Sequence, residues 1–94
     1  MNAAQLSMRN DMERDILFFT REMQRTAPVT AESVHGFLIG PRRRKCTAGE
    51  TEDRLAYLVD CRYLKREKKW SAGEWIHEFE ITAMGMDLLD GAIA

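Results

Sequence analysis

Cysteine, proline and long apolar runs are all scarce in this chain of 94 residues. The two cysteines, Cys46 and Cys61, do not supply a disulfide framework, so we expect them to be reduced thiols in the cytoplasm. The longest strongly apolar runs, such as residues 16–19, are much shorter than the roughly 18 residues that span a bilayer. The N-terminal segment also lacks the apolar stretch of a signal peptide. Membrane insertion and export are therefore not expected.

Positively and negatively charged residues are almost equal in number. The chain has 14 Lys and Arg against 15 Asp and Glu, a formal net charge of −1, which excludes a protein that is basic throughout. The distribution is uneven, because residues 41–69 contain ten bases and five acids, and the rest contains four bases and ten acids. The length allows one domain over residues 1–94 and leaves little room for a walled pocket. We therefore expect a binding or interaction module and not an enzyme.

Motifs for metals, cofactors and catalysis are missing as well. The possible zinc ligands do not have the short spacing of a structural zinc site, and neither thiol has the setting of a catalytic nucleophile. The six glycines are scattered and do not form a phosphate-binding loop. We therefore expect no metal, no cofactor and no catalytic residues. The possible zinc ligands are His35, Cys46, Cys61 and His77.

Helical periodicity dominates the first two thirds of the chain. Thr47 with Glu50 predicts a capping box, Asn10 with Glu13 predicts another, and Thr30 is a predicted N-cap. Residues 1–9 either fray or extend the first helix, because apolar residues recur there too. The predicted helices cover residues 10–26, 30–40 and 47–61.

A two-residue period replaces the helical one towards the end of the chain. Apolar and polar residues alternate over residues 75–82, which predicts a strand, and a turn near residues 70–74 makes this a hairpin over about 62–82. Thr82 is the predicted cap of a short last helix. Trp75 shares a face with Phe79 and Ile81, so we expect it in the core, whereas Trp70 is equally compatible with core packing and a partner contact.

Three segments carry a likeness to a known family. They read VTAESV (residues 29–34), LAYLVDCRYLKR (55–66) and FEITAMGMDLL (79–89). Together with the element order, they resemble the winged helix-turn-helix family over residues 10–91. The resemblance implies a mainly α fold with a β-hairpin (α+β): three helices, a two-stranded wing and a short C-terminal helix. Arg62 departs from the family, which usually has glycine at that place, and the loop before the third helix is longer and more basic.

The resemblance places that loop and the wing on either side of the third helix, which suits contacts to DNA phosphates. The implied function is a cytoplasmic transcriptional regulator or a phage-type accessory factor that binds double-stranded DNA. The resemblance also implies a homodimer through the N-terminal helix. The candidate DNA-binding residues are Arg42, Arg43, Arg44 and Lys45 in the loop, Arg54 and Tyr57 on the third helix, and Lys65, Arg66, Lys68 and Lys69 in the wing.

The third helix supports a second interpretation. With Leu55 and Leu58 facing inwards, Arg54 and Tyr57 face outwards and are able to contact a base and a phosphate. Three carboxylates are expected on the same outer side, and they repel a phosphate backbone. The alternative function is therefore a winged-helix module that binds a protein, in which the basic residues only keep the domain soluble. These carboxylates belong to Glu50, Asp53 and Asp60.

Overall fold

The computed structural model describes the backbone of residues 3–93 and the side chains of residues 11–91. Within this range the order is three helices, a two-stranded antiparallel sheet and a last helix, as the sequence predicts. The elements are α1 (Ala3–Met23), α2 (Ala31–Ile39), α3 (Ala48–Asp60), β1 (Leu64–Ser71), β2 (Glu74–Ile81) and α4 (Ala83–Ile93).

The first helix begins earlier than its predicted capping box. Helix α1 extends back to Ala3, so Asn10 lies inside it, and Glu13 is not a capping residue but contacts Arg54 of α3. Residues 1 and 2 of the segment predicted to fray lie outside the described residues. The helix ends at Met23, before the predicted residue 26, and is followed by a turn in which Thr26 N and Ala27 N both donate to Met23 O. Pro28 then disfavours helical backbone at the residue before it, Ala27.

The second and third helices begin where the sequence predicts. The Thr30 hydroxyl accepts a hydrogen bond from Ser33 N at 3.2 Å, and Ser33 Oγ accepts one from Thr30 N at 2.9 Å. Thr47 and Glu50 form the same reciprocal pair at 3.0 and 3.1 Å. These capping boxes satisfy backbone N–H groups that have no partner within the helix, and they fix the starts of α2 and α3.

One apolar core joins all the elements. Two buried threonines also belong to it, because the Thr20 and Thr51 hydroxyls donate to carbonyl groups one helical turn earlier and need no partner from outside. Glycine is required at position 85, where a Cβ atom would collide with the Tyr63 carbonyl oxygen. The buried apolar residues are Ile16, Leu17, Val29, Val34, Leu38, Leu55, Leu58, Leu64, Phe79, Ile81 and Leu89.

The wing is a regular hairpin fixed at its base. Its two-residue turn, Ala72 and Gly73, has positive φ at both positions, as a type I′ turn requires. At the other end, Val29 O accepts a hydrogen bond from Phe79 N at 2.8 Å, which ties β2 to the segment between α1 and α2. The base of the wing is thus part of the core, and its tip extends beyond it.

The structure corrects the prediction for Trp75. The side chain is 58% exposed, although Phe79 and Ile81 on the same face are buried. Trp75 is exposed because it lies near the tip of the wing, and only residues near the base of the wing pack against the helices. Trp70, its cross-strand partner, is 61% exposed.

Arg62 occupies the left-handed region, with φ of 67°. It follows α3 in a helix-terminating motif in which Tyr63 N donates to Leu58 O and Arg62 N donates to Val59 O, both at 2.9 Å. The Arg62 carbonyl in turn accepts from the Thr82 hydroxyl at 2.6 Å. The turn therefore requires a positive φ at position 62, and arginine adopts this left-handed conformation at a steric cost.

We expect Arg62→Gly to raise the free energy of unfolding by about 0.5–1 kcal/mol, because glycine adopts this conformation without a Cβ clash. Urea denaturation followed by circular dichroism measures the change. Arg62→Ala removes the same charge but keeps the Cβ atom, so it serves as the control and should not stabilise. Equal stabilisation by both variants would show that charge and not backbone strain is responsible.

Candidate nucleic-acid interface

Helix α3 lies between two open clefts. On one side, a cleft of about 530 Å³ separates its N-terminal half from the basic loop, defined here as Arg42, Arg43, Arg44 and Lys45. On the other side, a cleft of about 420 Å³ lies between α3 and the wing, with Asp53 on the helix and Arg66 on β1 among its lining residues. The basic loop and the wing therefore flank α3, as the resemblance implied.

Two arginines of the basic loop hold a buried carboxylate of α1. Asp15 is only 7% exposed, and its Oδ2 atom lies 3.1 Å from Arg42 Nε and 2.6 Å from Arg44 Nη2. Removing a carboxylate from water is costly unless charged donors satisfy it. Arg42 and Arg44 therefore stabilise the fold, and the Asp15 carboxylate neutralises one of their two positive charges.

The backbone of the basic loop folds onto the end of α2. Arg42 N donates to Phe37 O at 3.2 Å, and Arg44 N donates to Leu38 O at 2.7 Å. Between them Arg43 has a positive φ of 53° and an exposed side chain. His35 Nε2 donates to Cys46 O at 3.0 Å where the loop leads into α3. The loop therefore has a defined conformation that exposes Arg43.

Arg54 does not stand free on the outer side of α3. Its side chain is 28% exposed, and Nη1 lies 3.6 Å from Glu13 Oε1 on α1. The guanidinium carbon lies 5.9 Å from the centre of the Tyr57 ring, on the exposed side of the helix. The expected outward orientation is thus met by Tyr57 but only partly by Arg54, because the buried Glu13 carboxylate attracts the guanidinium.

The exposed side of α3 is acidic. Glu50, Asp53 and Asp60 are exposed as predicted, and Glu52, beside the wing, is a fourth exposed carboxylate that was not predicted. The Glu50 side chain is used in the capping box, where a negative charge also interacts favourably with the helix dipole. No ion pair is found for the other three carboxylates within the side chains of residues 11–91, so this face repels a phosphate backbone.

The wing has one basic face and one acidic face, because side chains alternate along each strand and the register pairs Leu64 with Ile81. We define the cationic face as the one towards α3. It contains no carboxylate, whereas the opposite face carries four. The cationic face consists of Leu64, Arg66, Lys68, Trp70, Trp75, His77, Phe79 and Ile81; the opposite face consists of Lys65, Glu67, Lys69, Ser71, Glu74, Ile76, Glu78 and Glu80.

The two lysines of the opposite face are paired with carboxylates. Lys69 Nζ lies 2.8 Å from Glu78 Oε2, and this hydrogen bond to a carboxylate raises the pKa of Lys69. Lys65 Nζ lies 3.9 Å from Glu67 Oε1. The charge of each lysine is thus opposed on its own face, which makes both weaker candidates for phosphate contacts.

The two bases of the cationic face contact aromatic rings instead. The Arg66 guanidinium carbon lies 5.5 Å from the centre of the Phe79 ring, and Lys68 Nζ lies 5.1 Å from that of Trp75. An aromatic ring attracts a cation without cancelling its charge. Among the side chains of residues 11–91, no ion pair with a carboxylate is found for Arg66, Lys68, Arg43 or Lys45.

Neither a metal centre nor a membrane-spanning helix is found in the described part of the chain. No group of three His, Cys, Asp or Glu in the described residues is arranged to hold a metal ion. Cys46 and Cys61 are free thiols, each partly buried. None of the helices in residues 3–93 combines the length and the hydrophobicity that a membrane crossing requires.

No family model matches the sequence, and the comparison with curated proteins found no match. Among solved structures, the chain is similar to the X-ray structure of a PadR-like transcription factor from Bacteroides fragilis. The two share 20% sequence identity with a TM-score of 0.75, over 98% of this chain and 86% of the other. This likeness confirms the predicted fold: the chain is an α+β protein with the winged-helix fold.

The contacts of Asp15 lead to a prediction about the basic loop. Asp15→Asn should lower the free energy of unfolding by about 1–3 kcal/mol, because it removes the charge that Arg42 and Arg44 oppose. Urea denaturation measures this loss. Asp11→Asn is the control, since Asp11 forms an exposed pair with Arg14 and should contribute about 0.5 kcal/mol or less. Similar losses in both variants would contradict a special role for Asp15.

Proposed function

We propose that this chain is a small transcriptional regulator that binds double-stranded DNA through phosphate contacts on both sides of α3. One observation carries the proposal. Arg43 and Lys45 line one cleft beside α3, Arg66 lines the other with Lys68 next to it on the same face of the wing, and none of the four has a carboxylate partner among the described side chains. Two separated groups of free cations match the two phosphate backbones that border a groove.

The likeness to a solved transcription factor supports this function, since that protein has the same fold over nearly the whole of this chain. The phage accessory role that the sequence resemblance implied is a narrower form of the same proposal. The cytoplasmic location expected from the sequence is part of the same proposal.

The acidic side of α3 limits how this DNA would be bound. Carboxylates of Glu52 and Asp53 face the cleft beside the wing and oppose close approach of a phosphate backbone. We infer that most of the affinity comes from the basic loop and the cationic face of the wing, and that it is sensitive to salt. Tyr57 and Arg54 remain proposed groove contacts, with Arg54 available once DNA competes with Glu13 for its guanidinium.

The contribution of the free cations is testable by mobility shift across a salt series. Replacing Arg43 and Lys45 with Gln, or Arg66 and Lys68 with Gln, should weaken binding to every duplex and reduce the salt slope by roughly one unit per lost phosphate contact. Replacing Lys65 and Lys69 with Gln removes the same charge from the opposite face. This control should change affinity and slope much less.

The same salt series tests the second candidate function, a module that binds a protein. The observation that favours it is the exposed acidic face of α3, with Asp53 and Asp60 on the same side of the helix as Tyr57, and Glu52 exposed beside the wing. If the wild-type chain shifts no duplex even at low salt, DNA binding is wrong and this face is the better candidate for a partner. Equal effects of all three double variants would instead show attraction to net charge alone.

We also propose a homodimer formed by the two terminal helices. Helices α1 and α4 pack together, with Arg21 Nη1 3.3 Å from Asp90 Oδ1, and they leave Phe18, Met84 and Leu88 exposed. A second copy that covered these apolar side chains would also double the number of phosphate contacts.

Sedimentation velocity should show twice the mass of one chain for the wild type. Leu88→Glu should shift the equilibrium towards monomer, because the dimer would bury an unpaired carboxylate. Ile39→Glu places the same charge at an exposed apolar site on α2 and should leave the dimer intact. A monomeric wild type, or equal effects of both variants, would refute dimerisation through α1 and α4.

A further inference from the structure

The two tryptophans of this chain lie together at the tip of the wing. Trp70 and Trp75 are cross-strand partners separated from the turn by one residue pair, and their ring centres are 5.2 Å apart at an interplanar angle of 75°. More than half of each side chain is exposed. Beyond them are only Ser71, the turn and Glu74, so the indoles form the outermost large apolar surface of the hairpin.

The charge around the indoles is positive on their own face. Lys68 Nζ lies 5.1 Å from the centre of the Trp75 ring, and Arg66 and His77 follow towards the core. The carboxylates of the wing all lie on the opposite face, where Glu67 and Glu78 contact Lys69. The exposed indoles are thus accompanied by cations and no acid.

Exposed aromatic rings beside cations are suited to nucleic acid with unpaired bases. The rings stack on the bases, and the cations contact the neighbouring phosphates. In a fully paired duplex the base faces are covered by their neighbours, so an indole reaches them only where stacking is interrupted. A protein partner that covered the same apolar area of the two indoles would not require every charge beside them to be positive.

The indole pair also has a structural role, because an edge-to-face contact between cross-strand aromatic rings stabilises a hairpin. That contact explains why the rings meet. It does not use the exposed parts of the two indoles or the charge of Lys68, which is therefore available to a ligand.

We propose that the wing tip, defined as Lys68, Trp70 and Trp75, stacks on unpaired bases. The chain would then bind DNA that contains an unpaired segment more tightly than a fully paired duplex of the same length. This inference rests on the proposed DNA-binding function and adds a preference for interrupted base stacking.

Intrinsic fluorescence tests this directly, because both tryptophans of the chain are in the wing tip. The full chain is titrated at low salt with a blunt duplex of two fully complementary strands, with the same duplex carrying an unpaired adenine stretch, and with inorganic polyphosphate. Stacking predicts the strongest quenching and the highest affinity for the duplex with the unpaired stretch. Polyphosphate, which has charge but no bases, should bind with little quenching.

Single substitutions assign the effect to the indoles. Trp70→Leu and Trp75→Leu should each weaken binding to the unpaired stretch, measured by anisotropy of a labelled DNA, on the order of tenfold. Their affinity for the blunt duplex should remain near that of the wild type. Trp70→Phe keeps a stacking ring and should retain most of the preference, and Ile39→Ala removes exposed apolar surface elsewhere and should have no effect.

The outcomes separate this inference from the proposed function. Equal affinity of the wild type for blunt and unpaired DNA, or equal quenching by polyphosphate, would overturn stacking and leave duplex binding intact. Absence of binding to all three ligands would overturn both. These wild-type measurements do not depend on any variant, so they decide the matter even if a substitution weakens the hairpin.

Discussion

The ion cluster around Asp15 determines which charges this domain presents. A carboxylate buried on α1 requires strong donors, and the chain supplies them from the loop before α3 through Arg42 and Arg44. This requirement fixes the loop against α1 and aligns the start of α3 beside it. It also divides the basic loop into two residues that stabilise the fold and two, Arg43 and Lys45, that form no ion pair among the described side chains.

The same division between structural and free charge applies elsewhere. Arg54 is held by Glu13, and Lys69 by Glu78, so neither presents a full positive charge to a ligand. In the wing, pairing with carboxylates is confined to one face, and the bases of the other face contact aromatic rings instead. A domain with a net charge of −1 thereby retains localised positive surfaces beside α3.

Local sequence patterns were sufficient to predict most of the fold. The capping residues Thr30 and Thr47 and the alternation in β2 depend on neighbours within a few positions, and the structure confirms each of them. The burial of Trp75 was predicted wrongly, because alternation identifies a face but not how far along a strand the core extends. The pairing of Asp15 with residues of a distant loop has no local pattern either, so the free cations were not distinguishable from the paired ones.

The difference in charge between the two faces of the wing restricts which insertions and deletions its strands tolerate. Because successive side chains alternate, removal of a single residue from β1 would exchange the two faces and turn Lys65, Glu67 and Lys69 towards α3. Removal of one residue from each strand beside the turn would keep the register and both faces. Relatives of this chain that retain its basic and acidic faces should therefore have wings that differ in length by matched pairs of residues.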